Sequence, residues 1–226
     1  MLKRVLEPEV MDDAQAARTY DEMDHSEVNR VFVDDLLQTG DIEGDILDLG
    51  TGTAQIPIEL CKRIDNCRVM ASDASYHMLD LARYQLEIAS LTDRIQLDMA
   101  DAKQMPYESE MFDIVISNSI VHHIPDPIVV LQGAIRVTKP GGLLFFRDLM
   151  RPDTEEQLDQ IVEKYSGKES EHAQQLLRDS LHAALNLAEI REMITELGFD
   201  PDTVQATSDR HWTWIARRVG RASKPA

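Results

Sequence analysis

From residue 45 the hydrophobic pattern alternates between two periods. Short apolar runs have the length of buried strands: "DILDL" (45–49), "CRVMAS" (67–72), "IQLDM" (95–99), "FDIVIS" (112–117) and "LLFFRDL" (143–149). Between them lie longer stretches with helical spacing. "AQIPIELCKRI" (54–64) tolerates Pro57 in its first turn. "SYHMLDLARYQLEIAS" (75–90) puts Met78, Ala82, Leu86 and Ala89 on one face, and "PIVVLQGAIRV" (127–137) is stopped by "KPGG". This order implies a parallel sheet covered by helices on both faces. Ligands of such sheets bind at the carboxyl ends of the strands, near the point where strand order reverses.

The flanks read differently. Residues 1–40 are predicted helical, on a stripe of Val28, Val31, Phe32 and Leu36. Two helices fit between Pro152 and Leu185, one striped by Leu158, Ile161, Val162 and Tyr165, the other by Leu176, Leu177, Leu181 and Ala184. Asn186 and Glu189 form a cap and N3 pair for "LAEIREMITEL", which Gly198 ends. "DTVQATS" and "HWTWIARR" are expected as a closing pair of strands, with His211 and Thr213 on one face and Trp212 and Trp214, read as core, on the other.

Composition narrows the class. Of the 226 residues, 43% are hydrophobic and 28% charged, the balance of a globular chain. No apolar run approaches the roughly 20 residues of a membrane span, and "MLKRVLEPEVMDD" lacks the apolar stretch of a signal peptide. Cys61 and Cys67 make no disulfide framework and fit no zinc spacing, so they read as reduced core thiols of a cytoplasmic protein. The net charge of −18, with basic residues scattered apart from "ARRVGRASK", argues against nucleic acid and anionic membranes as partners. There is no metal-ligand constellation, no G-x-S-x-G turn and no Walker lysine.

The glycine turn "DILDLGTGTAQIP" (45–57) carries the strongest chemistry. A dinucleotide fingerprint would place a third glycine where Gln55 stands. Asp48, two residues before Gly50, disfavours a pyrophosphate and suits a ligand with a positive group. The turn resembles motif I of class I S-adenosylmethionine-dependent methyltransferases. "VMASDAS" ends the second strand with Asp73, a carboxylate able to accept two ribose hydroxyls. "DMADAKQMP" places Asp101 after the third strand. "FDIVISNSIVHHIPDP" resembles the fourth-strand motif of small-molecule methyltransferases, and "KPGGLLFFRDL" the turn into the fifth strand. The match covers roughly residues 42–150 and, weakly, 186–218.

The resemblance implies an α/β fold: a Rossmann-like, mostly parallel seven-stranded sheet with helices on both faces and a closing antiparallel strand. In one domain it places an N-terminal helical lid (1–41), a cofactor-binding core (42–151), a helical insertion (152–185) and the last helix with the closing strands (186–226). It implies S-adenosyl-L-methionine as cofactor and S-adenosyl-L-homocysteine as product. The expected cofactor contacts are Tyr20, Asp48, Gly50, Thr51, Gly52, Asp73, Ala74, Met78, Asp101, Ala102 and Asn118. Asp48 would lie near the donor's ammonium, and Asp101 with the amide of Ala102 would meet the adenine.

His122 and His123 follow the fourth strand, where the family's acceptor meets the donor, and either imidazole is a candidate base, with His25 a third. Asn29, on the polar face of "YDEMDHSEVNR", is a candidate acceptor contact, as are Arg147 and Asp148, whose alternative is a plain surface ion pair. The expected activity is in-line methyl transfer to a small-molecule acceptor by a monomer or homodimer. The alternatives are a non-catalytic or regulatory S-adenosylmethionine-binding protein of the same fold and, less compatible with Gln55 and Asp101, a nicotinamide-dependent oxidoreductase.

Overall fold

The computed structural model describes residues 2–7 and 26–220. The apolar runs become strands and the helical periods helices, in the order α1 (Ser26–Gln38), β1 (Gly44–Leu49), α2 (Gln55–Arg63), β2 (Cys67–Asp73), α3 (Tyr76–Ala89), β3 (Ile95–Met99), β4 (Phe112–Asn118), α4 (Pro127–Val137) and β5 (Thr138–Leu149). There follow α5 (Glu155–Ser166), α6 (Glu171–Ala183), α7 (Leu187–Glu196), β6 (Val204–Ala206) and β7 (His211–Arg217). The strands form one seven-stranded sheet in the order β3-β2-β1-β4-β5-β7-β6. β1 pairs in parallel with both β2 and β4, and β6 with β7 antiparallel. Strand order reverses between β1 and β4, which makes their carboxyl ends the place for a ligand.

The described residues group into two compact units. The first comprises 26–117, Val129–Phe145 and 216–220; the second comprises 2–7, Asn118–Ile128 and Phe146–Ile215.

In the first unit, Phe32, Ile46, Ala71, Leu86, Ile114 and Phe145 belong to one buried cluster. Phe32 meets Phe145 edge to face at 4.9 Å, a favoured aromatic geometry. The stripe of α1 is Phe32, Val33 and Leu36, while Val31, expected inside, is 39% exposed. On α3, Met78, Ala82 and Leu86 are buried and Ala89 packs at the edge of the same cluster. Cys61 and Cys67 are buried free thiols with sulfurs 3.7 Å apart. Arg94 links the carbonyls of Cys61, Ile64 and Cys67, joining the end of α2 to the start of β2.

In the second unit, Leu149, Leu158, Ile161, Val162, Leu181 and Ala184 form a cluster from β5, α5 and the α6 terminus. Trp212 and Trp214 are wholly buried, Trp214 against Phe146 and Phe199. The Asn186 side chain accepts from the Glu189 amide, and Glu189 Oε2 accepts from the Asn186 amide. This reciprocal cap satisfies two otherwise unbonded donors. Replacing Asn186 with alanine should lower stability by about 1 kcal/mol, read as a shift of the urea midpoint with an unchanged slope; no shift would discount the cap.

Two expectations are corrected. Residues 2–7 are not helical: their segment is tied by Leu2 N–H to the Asp153 carbonyl and Val5 N–H to the His182 carbonyl. Pro8 follows, and a residue preceding proline is driven out of the helical region. Of the stretch 1–41 expected as a helical lid, the described residues include one helix, α1, and the stretch holding Tyr20, Asp24 and His25 lies outside the described residues. The "KPGG" stop ends α4 at Val137 as expected, yet β5 starts at once, at Thr138. Gly141 takes a positive φ of 80° there and donates to the Arg218 carbonyl.

Candidate functional site

In the first unit β1 runs straight into a turn of left-handed residues: Gly50 (φ 70°), Gly52 (φ 56°) and Ala54 (φ 61°). Glycine adopts this region without cost, whereas alanine is disfavoured there by about 1–2 kcal/mol. The Gly50 and Thr51 amides both donate to the Ser72 carbonyl at 2.9 Å. Asp73, ending β2, holds the turn from the other side. Its Oδ2 accepts from the Gly52 amide and its Oδ1 from the Ser75 amide, each at 2.8 Å. The strand ends and the turn are thus one hydrogen-bonded piece.

Asp48 sits within this piece, 2% exposed. Burial pushes its carboxyl up to about 7, with the Asp73 charge adding and the Thr51 side chain partly opposing. A carboxylate in such a place is stabilised by a cation. Asp101 accepts from the Lys103 amide at 2.8 Å and caps the short turn Ala102–Gln104, its side chain still 44% exposed. Met78 is buried, its amide held by Ser75 Oγ, and Ala74 is exposed.

Gln55, in the place of a third glycine, has a use that spacing alone did not reveal. Its Nε2 donates to Thr53 Oγ1 at 3.2 Å, and its Oε1 accepts from Asn29 Nδ2 at 2.8 Å. Asn29, expected on the acceptor, is thus turned to the glycine turn and ties α1 to it.

The second unit holds a separate polar cluster. The turn Val121–His123 follows β4 and stacks the two imidazoles 4.1 Å apart. Asp148, 1% exposed, accepts from the Val121 amide (2.6 Å) and the Leu149 amide (2.7 Å), and its Oδ1 lies 2.5 Å from His122 Nδ1. Burial opposes both charges, but their mutual attraction holds the Asp148 carboxyl below its ordinary range and raises His122. Glu7 Oε1 lies 3.4 Å from His122 Nε2 and 3.1 Å from His123 Nδ1, while Glu7 Oε2 accepts from Ser180 Oγ. Burial pushes the Glu7 carboxyl up, but contact with His123 and the field of both imidazoles outweigh it and hold it low.

Three sequence readings change here. Arg147 and Asp148 do not form a surface ion pair: both are buried, and Arg147 Nε donates to Thr213 Oγ1. Asp148 is not placed for an acceptor, since its oxygens serve the His122 loop. His122 is 3% exposed with an acid at each nitrogen, which is not the setting of an accessible base. Glu7, Arg4 and Arg151 were missed. Arg4 donates to the carbonyls of His122, Ile124, Pro125 and Ala183, and Arg151 to those of Leu2 and Ala184 and to Glu189. No local pattern signals these contacts, whose partners lie far apart in the chain.

A family profile described as "Methyltransferase domain" matches residues 47–146. That match spans 100 of the 226 residues. The chain is similar to a 27-O-demethylrifamycin SV methyltransferase of Amycolatopsis mediterranei, 27% identical over 177 residues, covering 76% of this chain and 61% of that protein. It is also similar to a demethylmenaquinone methyltransferase of Lactobacillus johnsonii, 35% identical over 107 residues, covering 47% of this chain and 44% of that protein. The chain therefore spans less than two thirds of the length of these relatives. Among solved structures, a candidate S-adenosylmethionine-dependent methyltransferase of Methanococcus maripaludis superimposes with a TM-score of 0.74 at 20% identity, covering 97% of this chain and 100% of that one. Among the described residues, no helix is long and apolar enough to cross a membrane.

The cofactor that this family and fold imply is S-adenosylmethionine, and the residues present fit it. Asp48 is a buried acid suited to a cation, and Gly50 and Gly52 in the turn are half-buried and carry no side chain. In the second unit, taken by itself, Asn118 at the end of β4 has a buried Oδ1 with no hydrogen-bond partner among the described residues.

Proposed function

We propose that this protein is a methyltransferase that moves the methyl group of S-adenosylmethionine to a small-molecule acceptor. The observation that carries the reading is the series Asp48, Asp73 and Asp101, at or just beyond the ends of β1, β2 and β3, around one glycine turn. When bound, the donor supplies a methyl group already activated on a sulfonium. Asp48 would hold the ammonium end, Asp73 the ribose hydroxyls, and Asp101 with the Ala102 amide the adenine. Gly50, Thr51 and Gly52 would line the methionine part, and Ala74 and Met78 the adenine. Alignment of nucleophile, methyl and sulfur supplies most of such a rate gain. In this reading the His122–Asp148 pair positions the loop after β4 and is not the base.

Support for a small acceptor comes from the two named relatives and from the net charge of −18, which opposes phosphate polymers. The free thiols suit a reducing, cytoplasmic setting.

The test is a thermal-shift series with S-adenosylmethionine, S-adenosylhomocysteine and NAD, followed by release of S-adenosylhomocysteine with hydroxyl- and quinone-bearing acceptors. Stabilisation by the first two, and turnover with at least one acceptor, is expected. Stabilisation by NAD alone would sink the reading, and donor binding without any turnover would favour a regulatory binder. Asp73→Ala should weaken donor affinity at least about tenfold, the loss of a charged hydrogen-bond acceptor; unchanged affinity would refute its ribose role.

A further inference from the structure

The geometry points to a divalent transition-metal site, zinc in the first instance, formed by Glu7, His122 and His123. It belongs to the second unit and is inferred independently of the proposed methyl transfer. The donor atoms of the three side chains all lie within 4.8 Å of one another. Glu7 Oε1 is 3.4 Å from His122 Nε2 and 3.1 Å from His123 Nδ1. Ligand bonds of about 2.1 Å put neighbouring donors about 3.4 Å apart in a tetrahedron and about 3.0 Å apart in an octahedron. The two spacings from Glu7 match donors around one cation, and the two imidazole nitrogens lie within 4.8 Å of each other.

The hydrogen bonding agrees. Glu7 Oε1 and His123 Nδ1 are buried polar atoms that find no hydrogen-bond partner, despite their closeness. Buried polar atoms are almost always satisfied, so two unsatisfied atoms facing each other need an explanation. A cation between them would satisfy the oxygen and both nitrogens at once.

The outer contacts are those of a metal centre. His122 Nδ1 is held by Asp148, which fixes the ring and leaves Nε2 to ligate. Glu7 Oε2 is held by Ser180, which leaves Oε1 free to face the histidines. The turn Val121–His123 and the 2–7 segment are clamped by Arg4. Glu7 and Asp148 bring two negative charges to match a divalent ion. The Arg4 charge opposes it, but lies against loop carbonyls and in the field of Glu189. Two imidazoles and one carboxylate favour zinc or a similar metal over magnesium or calcium, and three protein ligands leave a coordination position open. Glu7 and His122 are 115 positions apart, so no spacing motif announces the site.

The test uses the tag-free full chain, stripped with a chelator and titrated with Zn2+ against a chromophoric competitor, with thermal melting in parallel. One equivalent should bind, raise the melting temperature, and be unaffected by excess Mg2+. Glu7→Gln and His123→Gln should each weaken Zn2+ at least tenfold. His123 is partly exposed, so its variant is expected to fold, as checked by melting without metal. His77→Gln, on α3, should change nothing. Failure of the folded wild type to take up Zn2+, displacement by Mg2+, or equal affinity in the Glu7 and His123 variants would overturn the proposal.

Discussion

Asp48→Asn is expected to do two opposite things: stabilise the free protein above pH 7 and weaken its hold on S-adenosylmethionine. The carboxyl is pushed from 3.8 to about 7 mainly by burial. The folded chain therefore keeps a proton that the unfolded chain has already released between about pH 4 and 7. Stability falls across that window and stays lower above it, by up to about 4 kcal/mol if the whole shift is realised. An asparagine amide carries no charge but still needs partners, so recovery of about 2 kcal/mol is expected, or about 5 °C in Tm at pH 8. The gain should vanish near pH 4. Donor affinity should fall roughly 10- to 100-fold at pH 8, the size of one charged contact. In the wild type that affinity should rise as pH passes 7, and in the variant it should be flat. Melting curves from pH 4 to 8 and calorimetric titrations from pH 5 to 8 check all of this. A variant that is less stable at pH 8, or that binds the donor as well as the wild type, would remove Asp48 from the donor site.

Asp148→Ala should be the most damaging single change in the second unit. It removes an acceptor from two backbone amides and a negative partner from a buried imidazole. Breaking one side of a buried charge pair costs about 3–5 kcal/mol, because the other side stays buried. For a chain of this size that is a fall of roughly 10 °C in Tm. Asp148→Asn, which keeps an acceptor but not the charge, should lose less. Both are read from melts in the presence of a chelator. A Tm for Asp148→Ala within about 2 °C of wild type would show that the pair contributes nothing net.

These residues also show what a linear reading can see. The strands from "DILDL" to "FDIVIS" were legible because a buried parallel strand is a short apolar run wherever it occurs. Asn186 and Glu189 were legible because a capping box is local, three residues apart. The acids after β1, β2 and β3 could be placed because strand ends have predictable positions. Long-range pairing was not legible. Asp148 looked like half of an Arg147–Asp148 pair, since neighbours in sequence were all that could be compared. Its partner His122 is 26 positions away. Glu7 was read as part of a helix, and its surroundings became visible only once residues 2–7 were seen tied to Asp153 and His182. Asn29 pointed to an acceptor on the strength of its polar face, but its side chain is tied to Gln55, one turn of chain beyond the glycines.

Asp73 holds the last consequence. Both of its oxygens already accept backbone amides, from Gly52 and Ser75. A ribose reaching this carboxylate takes the remaining lone pairs of the same two oxygens that hold the loop shaping its own pocket. Ligand recognition and loop rigidity are then one variable: whatever loosens the loop also loosens the nucleoside. A nucleoside that docks here also fastens Gly52 to Ser75, so the turn should exchange its amide hydrogens more slowly when the donor is bound.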